Sequence, residues 1–118
     1  MPHTRIMYLE HKGSLNTEID IVGPARIGRV TIINKGKILR YRDRVLMALA
    51  GDKWNYIDQD SQEVFWVAGC SRNGTDALYT TDVRVDDSVL DEYWKKIRKM
   101  PENAKMKSFK MRGKYGAL

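Results

Sequence analysis

The order of apolar and polar residues divides the chain into a long β-patterned region and one short helical one. Arg5-Ile6-Met7-Tyr8-Leu9-Glu10 predicts a short strand, ended by the polar run His11-Lys12-Gly13-Ser14. Leu15 to Val22 reads as a short edge strand or an ordered loop. The stretch Gly23-Pro24-Ala25-Arg26-Ile27-Gly28-Arg29-Val30-Thr31 then makes a sharp entry into the first long strand, Ile27 to Ile33. Pro24 fixes its own φ and pushes Gly23 towards an extended or turn conformation. Gly28 points to a positive φ or to a close approach of another backbone, as at a bulge.

Asn34-Lys35-Gly36-Lys37 predicts a tight turn, because Asn and Gly tolerate the left-handed region. Ile38 to Arg42 returns as the partner strand. Arg44 to Leu49 follows at once, with Asp43 marking a turn or bulge and both faces partly covered. Trp54 to Asp58 and Glu63 to Ala68 continue the pattern around a polar turn at Gln59-Asp60-Ser61-Gln62. Asn73-Gly74 is a hairpin signal, and Leu78 to Val85 completes six or seven strands. With no helical patterns between them to make crossovers, the strands are expected to form a mostly antiparallel sheet. The fold class is therefore mainly β with one C-terminal helix (α+β), a small antiparallel barrel or a strongly twisted sheet.

The period changes after Asp86. Val89, Leu90, Tyr93, Trp94, Ile97 and Met100 fall on one helical stripe, predicting a helix over 88–100 with Trp94 as its anchor on the sheet. Ser88 and Asp91 make a capping-box-like start. Asp86 and Asp87 suit the positive end of the helix, Lys95 to Lys99 the negative end, and Pro101 stops it. Residues 1–101 thus read as a single β-rich domain, and 102–118 as a separable basic tail, disordered or ordered by a partner.

Composition narrows the classes. A chain of 118 residues, 42% apolar, is long enough for one domain with its own core, without metal or disulfide staples. Nothing in it approaches the length of an apolar membrane span. The first ten residues lack a charged region followed by an apolar core, which predicts no signal peptide and a cytoplasmic location. Cys70, alone, excludes an internal disulfide and a multi-thiolate zinc site. Net charge is +6 and unevenly placed. Residues 1–93 carry twelve Lys and Arg against fourteen Asp and Glu, and residues 94–118 carry nine against one. A near-neutral body with a basic end suits nucleic acid, an acidic protein partner or a membrane surface, or serves only to solubilise.

Candidate chemistry is sparse. Cys70 with His3 or His11 matches a nucleophile and base in residue type alone; a buried thiol and two solvated histidines explain the same residues. A glycine loop cradling an anion between Arg26 and Arg29 lacks the spacing of either common phosphate-binding motif. No catalytic, cofactor or metal site is expected, and the chain reads as a non-catalytic binding module. On one continuous strand, Arg40, Arg42 and Arg44 would share a face, and with Arg29 and Lys37 they would form a basic stripe. Tyr41, Trp54, Tyr56, Phe65 and Trp66 are either aromatic surface beside that stripe or core. In the tail, Lys105, Lys107, Lys110, Arg112 and Lys114 would meet phosphates while Phe109 and Tyr115 stack on unpaired bases. Single-stranded nucleic acid or RNA is the expected ligand. The alternative is a protein–protein interaction module, such as a cognate inhibitor or assembly subunit.

The run Gly23 to Thr31, with Tyr41, Asn55-Tyr56-x-Asp58, Trp66-x-x-Gly69-Cys70 and Asp91-Glu92-Tyr93-Trp94-x-x-Ile97-Arg98, resembles a family of small bacterial proteins. The resemblance covers roughly residues 8–101. Some members carry the name 1-deoxy-D-xylulose-5-phosphate synthase, yet this chain has no glycine-aspartate-glycine motif of a thiamine-diphosphate site. Thr17 to Val22 looks like an insertion relative to that family, and Ser61-Gln62 replaces a Thr-Gly turn. The resemblance implies no catalytic residues.

Overall fold

The computed structural model describes residues 3–14, 25–51 and 54–116. The segment predicted as an edge strand, Leu15 to Val22, and the Gly23-Pro24 turn lie outside them. Eight strands form one sheet: β1 (His3–Ser14), β2 (Ala25–Ile33), β3 (Ile38–Tyr41), β4 (Arg44–Ala48), β5 (Tyr56–Asp58), β6 (Glu63–Gly69), β7 (Thr81–Val85) and β8 (Ser108–Met111). Their order is β1-β6-β5-β4-β3-β2-β7-β8, and β1 also pairs with β2. That extra pairing closes the first six into an antiparallel barrel, the predicted class, and leaves β7–β8 as a ribbon outside it.

The ribbon attaches because β2 is longer than β3. Thr31 to Ile33 pair with β3, while Ala25 to Ile27 pair with β7. The β2–β7 pairing is the one parallel pairing among the described strands, within a sheet that is otherwise antiparallel, in keeping with the mostly antiparallel sheet expected. Its connection is not a helix but the whole of the barrel. Asn73-Gly74 turns the chain without making a hairpin, since β6 already has β1 on one edge and β5 on the other. No edge of β6 is left for the next strand.

β1 and β2 serve two cores at once. Met7, Leu9 and Val30 point into the barrel with Leu39, Leu46, Phe65 and Val67. Ile6, Tyr8, Ala25 and Ile27 point the other way, into a second core with Val83, Val85, Val89, Tyr93, Trp94 and Met111. Alternation of side chains along a strand makes both faces available, and here both are covered by apolar groups. β1 also runs to Ser14, past its predicted end, through a bulge between His11 and Gly13. On its outer face Lys12 Nζ donates to Glu10 Oε2 at 2.6 Å, and the Tyr8 hydroxyl donates to Glu10 Oε1 at 2.6 Å. Glu10 is 1% exposed and Lys12 3%, a buried ion pair that polar composition hides.

The helix α1 runs from Asp87 to Ile97 as a 3-10 turn (Asp87–Val89), an α turn (Leu90–Glu92) and a π turn (Tyr93–Ile97). It is shorter than predicted, ending before Pro101 because Lys99 takes a positive φ of 57°. The Arg98 N–H reaches back to the Tyr93 carbonyl and the Met100 N–H to that of Trp94. The expected capping box is not formed: Asp86, preceding the first turn, makes no side-chain cap and serves another purpose described below. Trp94 is 1% exposed, and its Nε1 donates to the Met106 carbonyl at 2.9 Å.

That last bond reverses the reading of the basic end. Residues beyond Pro101 form a 3-10 turn (Pro101–Asn103), then β8, then a return along Ala77 to Thr80. Phe109 packs edge-on against Trp94, ring centroids 5.0 Å apart, and Met111 is fully buried. The alternation in Ser108-Phe109-Lys110-Met111 is that of a strand with one wet face. Residues 102–116 are part of the domain rather than a tail outside it.

Candidate functional site

The expected basic stripe does not exist as one face. Arg42 and Asp43 form the β3–β4 turn, with Arg42 at φ 56°, so the chain reverses between Arg40 and Arg44. Tyr41 then stands opposite Arg44, and Arg40 opposite Val45. Arg40 lies on the outer face, exposed. Arg44 lies on the barrel face with Leu46, where it donates to Asp58 at 3.0 Å and Glu63 at 3.3 Å and covers the Phe65 ring. Burial alone would raise the Glu63 carboxyl, but hydrogen bonds from Ser61, His11 and Arg44 outweigh it and hold the carboxyl below its ordinary range. Arg29 is engaged by Glu92 of α1 at 2.9 Å. Arg26 and Arg29, the pair of the glycine-loop reading, are three apart on one strand and face opposite ways.

What the fold brings together is a different set. Asp86 sits between β7 and α1, and its N–H donates to the Ile27 carbonyl, which fixes it beside β2. Its carboxylate accepts from the Tyr41 hydroxyl at 2.5 Å and from Arg42 Nη2 at 2.8 Å, with Arg26 Nη1 at 3.5 Å. Burial first, then the bond to Asp86, raises the Tyr41 hydroxyl well above the usual tyrosine range, so it remains a donor. Gly28 lies directly beneath. A Cβ built there would stand 2.6 Å from Tyr41 Cε1 and would also clash with Asp86. The close approach predicted for Gly28 is thus by side chains, not by backbone.

Arg26, Arg42, Arg84, Asp86, Asp87 and Lys107 line a groove of about 350 Å³. Within it Arg26 on β2 and Arg84 on β7 are direct register partners in the parallel pairing, so both project from the same face. Asp86 offsets Arg26. Among the described residues no carboxylate lies within ion-pair distance of Arg84. Lys107 reaches Asp87 at 3.5 Å, both side chains largely exposed. A second groove of about 550 Å³ follows the β7–β8 ribbon and shares Arg84 and Ser108 with the first. It adds Lys110, which stands opposite Asp82.

Of the predicted cations, Arg42, Lys107 and Lys110 converge on these grooves. Lys105 and Arg112 are exposed on the segments flanking β8, and Lys114 lies over the Trp66 ring, 5.8 Å from its centroid. Phe109 is not available for stacking on a ligand, being packed on Trp94 and Tyr93. Tyr115 is 69% exposed, its ring 5.8 Å from that of Tyr79. Phe65 belongs to the barrel core, with Tyr41 and Tyr56 packed against it. Sequence context does not single out Arg84 or Asp86 as site residues, and it offers Tyr41 only as one of five aromatics that are either surface or core. The partners Tyr41 and Asp86 are 45 residues apart, and no local spacing joins them.

His11 and Cys70 are not combined. His11 engages Glu63, while Cys70 sits half-buried after β6, where burial raises its thiol above the ordinary range and Asp76 adds to the effect. No helix among the described residues is long and apolar enough to cross a membrane. Comparison of the chain with family models, with curated proteins and with solved structures gives no match.

Proposed function

We propose that this chain is a non-catalytic binding module for nucleic acid, held through its phosphates in the groove between β2, the β3–β4 turn and the β7–β8 ribbon. The observation that carries the reading is the Arg26–Arg84 pair. Like charges directly opposite across two strands are unfavourable unless something answers them. Asp86 answers Arg26, and Arg84 is left for an anion from outside. Arg42 and Lys107, paired with Asp86 and Asp87, and Lys110, opposite Asp82, complete two contiguous grooves. Together these hold five cations against three carboxylates, an elongated and still net positive surface that suits an extended polyanion better than a single small one. Phosphate contacts of this kind supply a sequence-independent, salt-dependent affinity.

The test is fluorescence anisotropy with a labelled RNA oligonucleotide, measured between about 50 and 200 mM salt. Arg84→Glu and Lys110→Glu are expected to weaken binding and to make the log–log salt slope shallower by roughly 0.7 per lost phosphate contact on a single strand. Absence of binding at low salt, or equal binding by both variants, overturns the reading in favour of an acidic protein partner.

A further inference from the structure

We infer that the ligand is single-stranded, with one unpaired base stacked at Tyr115; this rests on the nucleic-acid reading above. The ribbon has two unlike ends. At the Val85 end lies the cationic groove, with Arg84 and Lys107. At the Thr81 end the chain after β8 folds back: the Tyr115 N–H donates to the Leu78 carbonyl at 2.9 Å, and the Thr80 N–H to that of Gly116 at 2.9 Å. Those two bonds hold Tyr115 beside Tyr79, rings tilted at 54°.

Tyr115 is 69% exposed, and with Val45 it is one of two large apolar residues so exposed among the described residues. An exposed ring fixed on both sides by backbone bonds presents an aromatic face at one end of a ribbon whose other end is cationic. Nucleobases carry that complement, an aromatic face joined to negative phosphates, and stacking on such rings tolerates any base. Bases inside a duplex have both faces covered by neighbours, so only an unpaired base can take the position.

The interval between the two ends follows from β7. From Thr81 to Val85 the strand advances about 13 Å at roughly 3.3 Å per residue. At about 3.4 Å per stacked nucleotide the ribbon itself spans roughly four nucleotides, within the site sizes of small barrels that bind single strands. Tyr115 is tied at Leu78, just outside that span.

The experiment compares a labelled single-stranded RNA with the blunt duplex of the same sequence, using the whole chain and three variants. Wild-type protein binds the single strand more tightly than the duplex. Tyr115→Ala weakens single-strand binding by roughly 5- to 150-fold, the size of one stacked base, and leaves duplex binding unchanged. Tyr115→Phe retains the preference, and Arg84→Glu weakens both ligands. Equal binding of both RNAs with no effect of Tyr115→Ala, while Arg84→Glu still weakens them, overturns the stacking inference and leaves the phosphate reading standing. Absence of binding to either RNA overturns both.

Discussion

The hydroxyl of Tyr41 lies 2.5 Å from a carboxylate oxygen of Asp86, and the two side chains meet over the α-carbon of Gly28. Three parts of the chain, β2, the end of β3 and the residue before α1, are locked together at that point. Gly28→Ala places a methyl group into Tyr41 and Asp86. It is expected to cost about 1–3 kcal/mol through overpacking. Combining it with Tyr41→Ala should give less than the sum of the two single losses, because the larger change vacates the space. Urea denaturation of the four proteins in the cycle checks this.

Trp94 fills the second core and donates its indole N–H to Met106. Trp94→Ala is expected to lose about 3–5 kcal/mol. A truncation removing residues 102–118 takes away that acceptor, the buried Met111 and all of β8. It should abolish cooperative unfolding, where a dispensable tail would leave the transition unchanged. Circular dichroism followed against temperature distinguishes the two outcomes.

The buried Glu10–Lys12 pair predicts opposite results for breaking and for replacing it. Lys12→Ala strands the Glu10 carboxylate and is expected to cost about 3–5 kcal/mol. Replacing the whole set, Tyr8→Phe with Glu10→Leu and Lys12→Met, leaves no group unpaired and should recover most of that loss. Chemical denaturation midpoints at neutral pH give the comparison.

Asp76 is 3% exposed and uses Oδ1 to accept from the Ser71 N–H, while Oδ2 has no partner among the described residues. Burial raises its carboxyl above the ordinary range, against the lowering effect of Ser71, Arg98 and Lys114. A raised folded value means the group favours the fold below its unfolded pKa, about 3.9, and loses that contribution as pH rises through the folded value. Asp76→Asn keeps the acceptor and removes the charge. It should be more stable than wild type at neutral pH, with the difference shrinking as the pH falls towards 4. Urea midpoints of both proteins across that range decide it, and a constant difference would rule the linkage out.

Much of the barrel is legible in local pattern. The alternation from Ile27 to Ile33, the left-handed Asn34-Lys35-Gly36 and the apolar Val64 to Val67 each name their own element. The unbroken run Ile6-Met7-Tyr8-Leu9 also carried the news that β1 is covered on both sides. Where reading failed, a local signal competed with a distant one. Asn73-Gly74 has hairpin chemistry, but the pairing edges were already occupied by strands far off in sequence. Lysines at 105, 107, 110 and 114 masked the period-two alternation of Phe109 and Met111. The groove is almost wholly non-local: Arg26, Arg84 and Asp86 meet only because a parallel strand pairs after the barrel has closed.

The two-sided wall of β1 and β2 has a consequence during synthesis. Barrel closure needs only strands up to β6, yet it leaves Ile6, Tyr8, Ala25 and Ile27 facing outward until β7, α1 and β8 have been made. For that interval the nascent chain presents an apolar strip along paired strands, with part of one β2 edge unfilled at Ala25 to Ile27. Such a surface is the kind that captures other chains, including copies of itself. Aggregation is therefore expected to depend less on the stability of the finished molecule than on how long its outer layer is delayed.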